Sequence, residues 1–253
     1  MRFSSYIICA TPRSGSTLLC DLLTSTGAAG KPHSYYRNED ASYWAELWGV
    51  PRPHRLDDAG FEKAYLSAMI REGTAGTGVF GLRLMWSSVA DASRRLDAIK
   101  GSAADVAARF AEAFGPTLYI HLSRQDKLSQ AISLVRAEES GLWHLAADGT
   151  ERERTAPPRI PLYDGDRIAE VSRKLQGDDI AWTDFFSRRE INPLALTYEA
   201  LTADPREALA ELFRALGQDP AGAERMLVQT AKLADADSLE WAARYRRESR
   251  GSP

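Results

Sequence analysis

Cysteine is nearly absent: Cys9 and Cys20 are the two in 253 residues, which excludes a disulfide-stapled secreted fold. One falls on a predicted strand and the other on the helix that follows, so both are expected reduced and buried, as suits a cytoplasmic protein. An excess of either charge is missing as well, since 32 Lys and Arg against 35 Asp and Glu leave a formal −3. That balance excludes nucleic acid or an anionic membrane as the main partner, and any anion site must be a local gathering of arginines. No run approaches the roughly 18 apolar residues of a membrane span, and no charged start leads into the apolar stretch of a signal peptide. Stable membrane insertion is therefore not expected. Metal-ligand spacing is lacking too: His54, His121 and His144 pair neither with one another nor with the cysteines, so they read as structural and no metal is implied. Repeats and low-complexity segments are also missing.

What is present is enough apolar content, 44%, to bury one large core, so a single domain over residues 1–253 is expected. Apolar runs predict strands at Tyr6–Ala10, Val79–Leu84, Thr117–Leu122 and Leu194–Tyr198. Helical spacing falls between them: Leu18, Leu19, Leu22 and Leu23, then Phe61–Ile70, Ala103–Phe114 stopped by Gly115-Pro116, about Asp126–Glu139, and Arg167–Arg189. Three more helical pieces follow to the end. The stretch 149–161, with three prolines and no periodicity, reads as a long loop, expected to be mobile. Strands separated by helices imply an α/β fold, a central parallel sheet covered by helices on both faces.

In such a sheet ligands bind beyond the C-terminal strand ends. After the first strand comes Thr11-Pro-Arg-Ser-Gly-Ser-Thr17, a short turn that opens a helix. That is the arrangement of a phosphate-binding loop, in which amides at a helix start converge on an anion. Against the pattern G-x-x-x-x-G-K-[ST], Ala10 takes the first glycine, Gly15 the second and Thr17 the final hydroxyl, while Ser16 stands where the lysine should be. The loop suits phosphate but lacks the group that reaches a triphosphate's outer phosphates. Arg124, after the third strand, offers a second guanidinium fork. The C-terminal arginines Arg244, Arg246 and Arg247 form a further cationic cluster.

The strand–loop–helix IICATPRSGSTLL resembles the 5′-phosphosulfate loop of sulfotransferases that use 3′-phosphoadenosine-5′-phosphosulfate. RQDKLSQAIS, from Arg124 to Ser133, is similar to their 3′-phosphate motif, and LTYEAL, from Leu196, to their late strand with a tyrosine near the nucleotide. GAAGKPHSYY, GLRLMW and LEWAARYRRE narrow the likeness to the bacterial trehalose 2-sulfotransferase family and its lipopolysaccharide and nodulation-factor relatives. The resemblance implies a P-loop-type three-layer fold and sulfuryl transfer from that donor to a hydroxyl of a carbohydrate or glycolipid. It implies no metal, and it allows a homodimer, for which Trp44 and Trp48 read as exposed aromatics.

By the same resemblance Arg13, Ser14, Gly15, Ser16 and Thr17 would hold the 5′ end of the donor, with Arg13 stabilising charge on the bridging oxygen. Arg124, Ser129, Tyr198, Arg244 and Arg247 would hold the rest of the nucleotide, though Ser129 could instead cap its own helix with Asp126. Tyr35, Tyr36 and Trp86 are candidates for the acceptor pocket. The family's glutamate after its Gly-x-Pro turn is missing, because Gly30-Lys31-Pro32 is followed by His33-Ser34. His33 is the natural substitute base, with Glu39 or Asp40 as alternatives. A protein that binds the nucleotide with little turnover, or a small-molecule P-loop kinase, are the competing readings. A G-x-S-x-G hydrolase is excluded by the missing motif, and a Cys-x5-Arg phosphatase by the short Cys9-to-Arg13 spacing.

Overall fold

A computed structural model describes residues 3–51, 59–100, 105–228, 230–231 and 236–251; His54 lies outside them. Strand β1 (Ser5–Ala10) is buried along its whole length and leads into α1 (Ser16–Thr26). Short α2 (Ala41–Leu47) and α3 (Ala59–Thr74) precede β2 (Phe80–Met85). Then come α4 (Val89–Lys100) and α5 (Val106–Phe114), the latter capped by Asp105, which accepts from the Ala107 amide. Strand β3 (Thr117–Ser123) is followed by α6 (Lys127–Ser140), and β4 (Leu142–Ala146) by β5 (Glu151–Arg154). The long α7 (Gly165–Ser187) starts at an Asp164 cap and leads to β6 (Leu194–Thr197) and α8 (Tyr198–Ala203). Asp204 caps α9 (Pro205–Leu216), whose first residue is a proline that needs no amide partner there. The two-residue β7 (Thr230–Ala231) and α10 (Ala236–Gly251) complete the order.

The main sheet runs β2-β1-β3-β6, all parallel, with β1 in register from Ser5↔Phe80 to Ala10↔Met85 and from Ser5↔Thr117 to Ala10↔Leu122. Alternation along β1 builds the two faces. Ile7 and Cys9 join Leu82, Leu84, Tyr65, Phe110 and Trp182, while Tyr6, Ile8 and Ala10 join Leu19, Leu22, Leu23, Leu212 and Phe213. This is the expected three-layer P-loop-type arrangement. Both cysteines are free and buried, and burial pushes the Cys20 thiol up to about 12. Among the described residues no helix is long and apolar enough to cross a membrane.

Three expectations need correction. A second, antiparallel sheet, β5-β4-β7, stands beside the main one, so residues 151–154 of the expected loop are a strand. Its sequence, Glu-Arg-Glu-Arg, has no apolar side to betray it. Helices α2 and α4 interrupt stretches the sequence reading left without elements. Finally, Trp44 and Trp48 are not exposed aromatics: they stack on each other at 5.3 Å and pack against Tyr35 and Tyr65.

Candidate active site

Beyond Ala10 the chain folds into a tight loop in which the Ser14 amide returns to the Thr11 carbonyl. Arg13 adopts φ 63° and Gly15 φ 85°, both left-handed. A Cβ on Gly15 would lie 2.7 Å from the Tyr198 ring, so backbone and space both demand glycine. Gly15 is also the N-cap of α1 and offers no side chain to cap it, which leaves the first-turn amides to an outside acceptor. The loop is fixed from behind. Buried Gln130 donates to Thr11 Oγ1 (2.9 Å) and to the Pro12 carbonyl (2.7 Å), and Trp182 Nε1 donates to the Ala10 carbonyl (3.1 Å). Amides held this way are preorganised for an anion.

A cavity of about 1310 Å³ opens in front of the loop, more than the roughly 300–1,000 Å³ usual for one small ligand. On its α6 side, Arg13 Nε donates to Ser133 Oγ (2.9 Å) and Nη1 to the Trp143 carbonyl (2.7 Å). Arg124 Nη1 donates to the Arg13 carbonyl, and its guanidinium lies 4.5 Å from the centre of the Tyr198 ring. Burial, then the charge of Arg124, lowers Arg13 to about 10. Arg124 Nε is buried with no partner among the described residues. Two adjoining guanidiniums with an unspent N–H are the donor set an anionic ligand requires.

Two functional side chains escaped the sequence reading. Arg83 Nη1 donates to Thr17 Oγ1 and Nε to Ser34 Oγ, both at 2.7 Å, so it joins the loop to the opposite wall. Its signal was available: a lone charge in an otherwise apolar strand. His144, read from sequence as structural, lines the cavity, with Nε2 3.1 Å from Thr17 Oγ1 and 3.6 Å from Glu153 Oε2. Burial, then Arg13, Arg83 and Arg152, lowers it to about 3. Only the fold brings residue 144 to residue 17.

The other expected residues divide. Ser16, Thr17, Tyr198, Ser129 and Glu39 line the cavity with Arg13 and Arg124. Ser129 gives both its hydroxyl (2.7 Å) and its amide to Asp126, which realises the helix-cap alternative. Glu39 sits at the rim, largely exposed, 3.4 Å from Arg37. His33 does not line the cavity: its Nδ1 accepts the Ser34 amide and its ring meets Trp44 edge-on at 4.7 Å. Tyr35 and Tyr36 are core residues, and Trp86 packs against Trp182 at 5.0 Å. Arg244 and Arg247 are exposed on α10 outside the cavity, Arg244 bonded to Glu248 and lying over Tyr163. His121 packs on Phe186.

A parallel sheet whose first strand delivers an amide-lined loop, flanked by arginines, defines a P-loop-type protein for phosphate- or sulfate-bearing ligands. The chain belongs to the Stf0 sulphotransferase family, whose profile it matches over residues 5–248, and it is thus a sulfotransferase. It is 28% identical to trehalose 2-sulfotransferase of Mycobacterium tuberculosis (strain ATCC 35801 / TMC 107 / Erdman) over 266 residues, 96% of this chain and 95% of that protein. Trehalose 2-sulfotransferase of Mycolicibacterium smegmatis is likewise 28% identical, over 97% of this chain and 96% of the relative. Among solved structures, the sulfotransferase domain of the Synechococcus PCC 7002 olefin synthase aligns with TM-score 0.45 and 15% identity, over 96% of this chain and 94% of that one.

Proposed function

We propose that the protein moves a sulfuryl group from 3′-phosphoadenosine-5′-phosphosulfate to a hydroxyl of a carbohydrate or glycolipid acceptor. The observation that carries this reading is that Arg13 and Arg124 flank the uncapped start of α1 in one cavity, with Ser16 in place of a triphosphate-binding lysine. The donor supplies an activated sulfuryl group and a phosphate leaving group. The amides of Ser14 to Thr17 hold its 5′ end, where the helix start contributes about half a positive charge. Arg13 stabilises the charge that develops on the bridging oxygen as the bond to sulfur breaks. Arg124, through its unspent Nε, serves the 3′-phosphate, while Tyr198 offers a ring face beside it. No residue of the loop needs a magnesium ion for these tasks.

On the opposite wall Ser34, Asn38, Ser87, Ser88 and Asp91 present hydroxyl, amide and carboxylate groups. Such a surface suits a polyhydroxylated acceptor, and the sugar acted on by the two mycobacterial relatives supports that class. A thermal-shift comparison tests the donor. 3′-Phosphoadenosine-5′-phosphate at about 100 times its Kd is expected to stabilise the fold by about 2.7 kcal/mol, and ATP with Mg²⁺ to leave it unchanged. The reverse pattern would favour a kinase and defeat the proposal.

A further inference from the structure

We propose that His144, seated between Thr17 and Glu153, is the general base that takes the proton of the acceptor hydroxyl. The inference rests on the donor reading above and names the base within that same site. The cavity lacks the base expected from sequence, since His33 faces Trp44 and has its Nδ1 engaged by the Ser34 amide. Glu39 remains, but at the solvent rim and paired with Arg37. His144 instead approaches the loop itself: Nε2 is 3.1 Å from the hydroxyl of Thr17, on the first turn of α1. The imidazole is therefore one hydroxyl away from the amides that hold the reacting end of the donor.

The hydrogen-bond directions put it in the right form. Arg83 Nη1 must donate to Thr17 Oγ1, because a guanidinium has no lone pair to accept with. Thr17 Oγ1 keeps its own proton to give, so it can donate to the His144 tautomer whose Nε2 carries the lone pair. Glu153 Oε2, 3.6 Å from the same atom, favours the imidazolium once it forms. The charged groups facing the ring are Arg13 from the loop, Arg83 from β2, and Arg152 and Glu153 from β5. Burial first, and then the three cations, keep the free protein's imidazole neutral. A bound anionic donor offsets the share that the cations contribute.

In the step itself the acceptor oxygen bonds to sulfur, and the bond from sulfur to the bridging phosphate oxygen breaks. The hydroxyl proton passes to Nε2, the sulfate ester forms, and 3′-phosphoadenosine-5′-phosphate leaves with the bridging electrons. The test follows release of that product from the donor with trehalose as acceptor, and with water alone. His144→Gln is expected to lower kcat about 100-fold or more, while the Kd for 3′-phosphoadenosine-5′-phosphate stays within about threefold. Glu153→Gln is expected to lower kcat about tenfold at unchanged KM. It should also move the acid limb of the pH–rate profile to lower pH, because a carboxylate that raises the imidazole pKa is gone. A His144→Gln enzyme within threefold of wild-type kcat overturns the inference. So does a wild-type protein that binds the product nucleotide yet releases none from the donor. Should His144→Gln not fold, the Glu153→Gln profile decides, and an unmoved limb overturns it. Failure of the wild type to bind the nucleotide at all would instead defeat the donor reading.

Discussion

Arg13 concentrates the local physics of the site. Its left-handed φ of 63° is strained for a side-chain-bearing residue, and such strain persists only where the surroundings fix it. Here Ser133 and the Trp143 carbonyl take two of its donors, and Pro12 before it is clamped by Gln130. The remaining N–H groups are left for the ligand. Arg13→Ala is expected to weaken 3′-phosphoadenosine-5′-phosphate about 10- to 100-fold, the worth of one or more hydrogen bonds to a charged group, as read by isothermal titration calorimetry. Unchanged affinity would place the nucleotide elsewhere. At this scale the sequence was legible where partners are local: loop, cap and helix are neighbours in the chain. It misled at Tyr35, Tyr36 and Trp86, because an aromatic beside a polar loop gives no sign of the face it turns to, and all three turn inward. Arg244 and Arg247 misled for a related reason, since a charge cluster on a helix reports no direction.

The elements that carry the site are placed by a few close contacts. Gly30 is the clearest. At φ 73°, a Cβ there would meet the carbonyl oxygens of Gly73 at 2.4 Å and Val79 at 2.6 Å. This approach lets the Lys31 amide reach the Gly73 carbonyl and aligns residue 33 beside β2, where the Arg83 amide donates to the His33 carbonyl. Ser34 is thereby held in reach of the Arg83 side chain. Gly30→Ala is expected to destabilise the fold by about 2 kcal/mol or more, lowering Tm by roughly 4–8 °C in a circular-dichroism melt. A melt unchanged within a degree would show the contact to be relaxed. The four parallel strands were legible because apolar runs between helices allow little else. The β4–β5 hairpin was not, because β4 is short and only half-buried, β5 is short and wholly charged, and the pair is stabilised from outside. Arg152 pairs with Asp21 of α1, and His144 with Thr17. The sequence reading could find the strand of the loop, but not the hairpin that brings it a base.

Across the whole molecule, protons connect stability to ligand. His33 and His144 are each held near 3, chiefly by burial and then by arginines: Arg83, Arg152 and Arg37 for the first, Arg13, Arg83 and Arg152 for the second. In the unfolded chain both titrate near 6.5, so between about 3 and 6.5 the unfolded state binds more protons and stability rises with pH. Above 6.5 the contribution is complete; as the solution is acidified below that it is progressively lost, by on the order of 1 kcal/mol per pH unit for each ring. The ligand-free Tm is therefore expected to fall by several degrees between pH 7 and pH 5, and His144→Gln to fall less. Bound nucleotide relieves part of the depression at His144 alone, because phosphate charge beside Arg13 and Arg83 offsets the cations that act on the ring after burial. Binding below pH 6.5 should then take up a proton, so affinity gains as pH falls. The nucleotide's own phosphate, with a second pKa near 6, pulls the other way, and the informative quantity is the difference between proteins. Calorimetry of 3′-phosphoadenosine-5′-phosphate binding at pH 5.5, in buffers of differing ionisation enthalpy, should show more protons taken up by wild type than by His144→Gln. Equal uptake would mean that the anion does not share its field with this histidine, and would separate the loop from the ring that stands beside it.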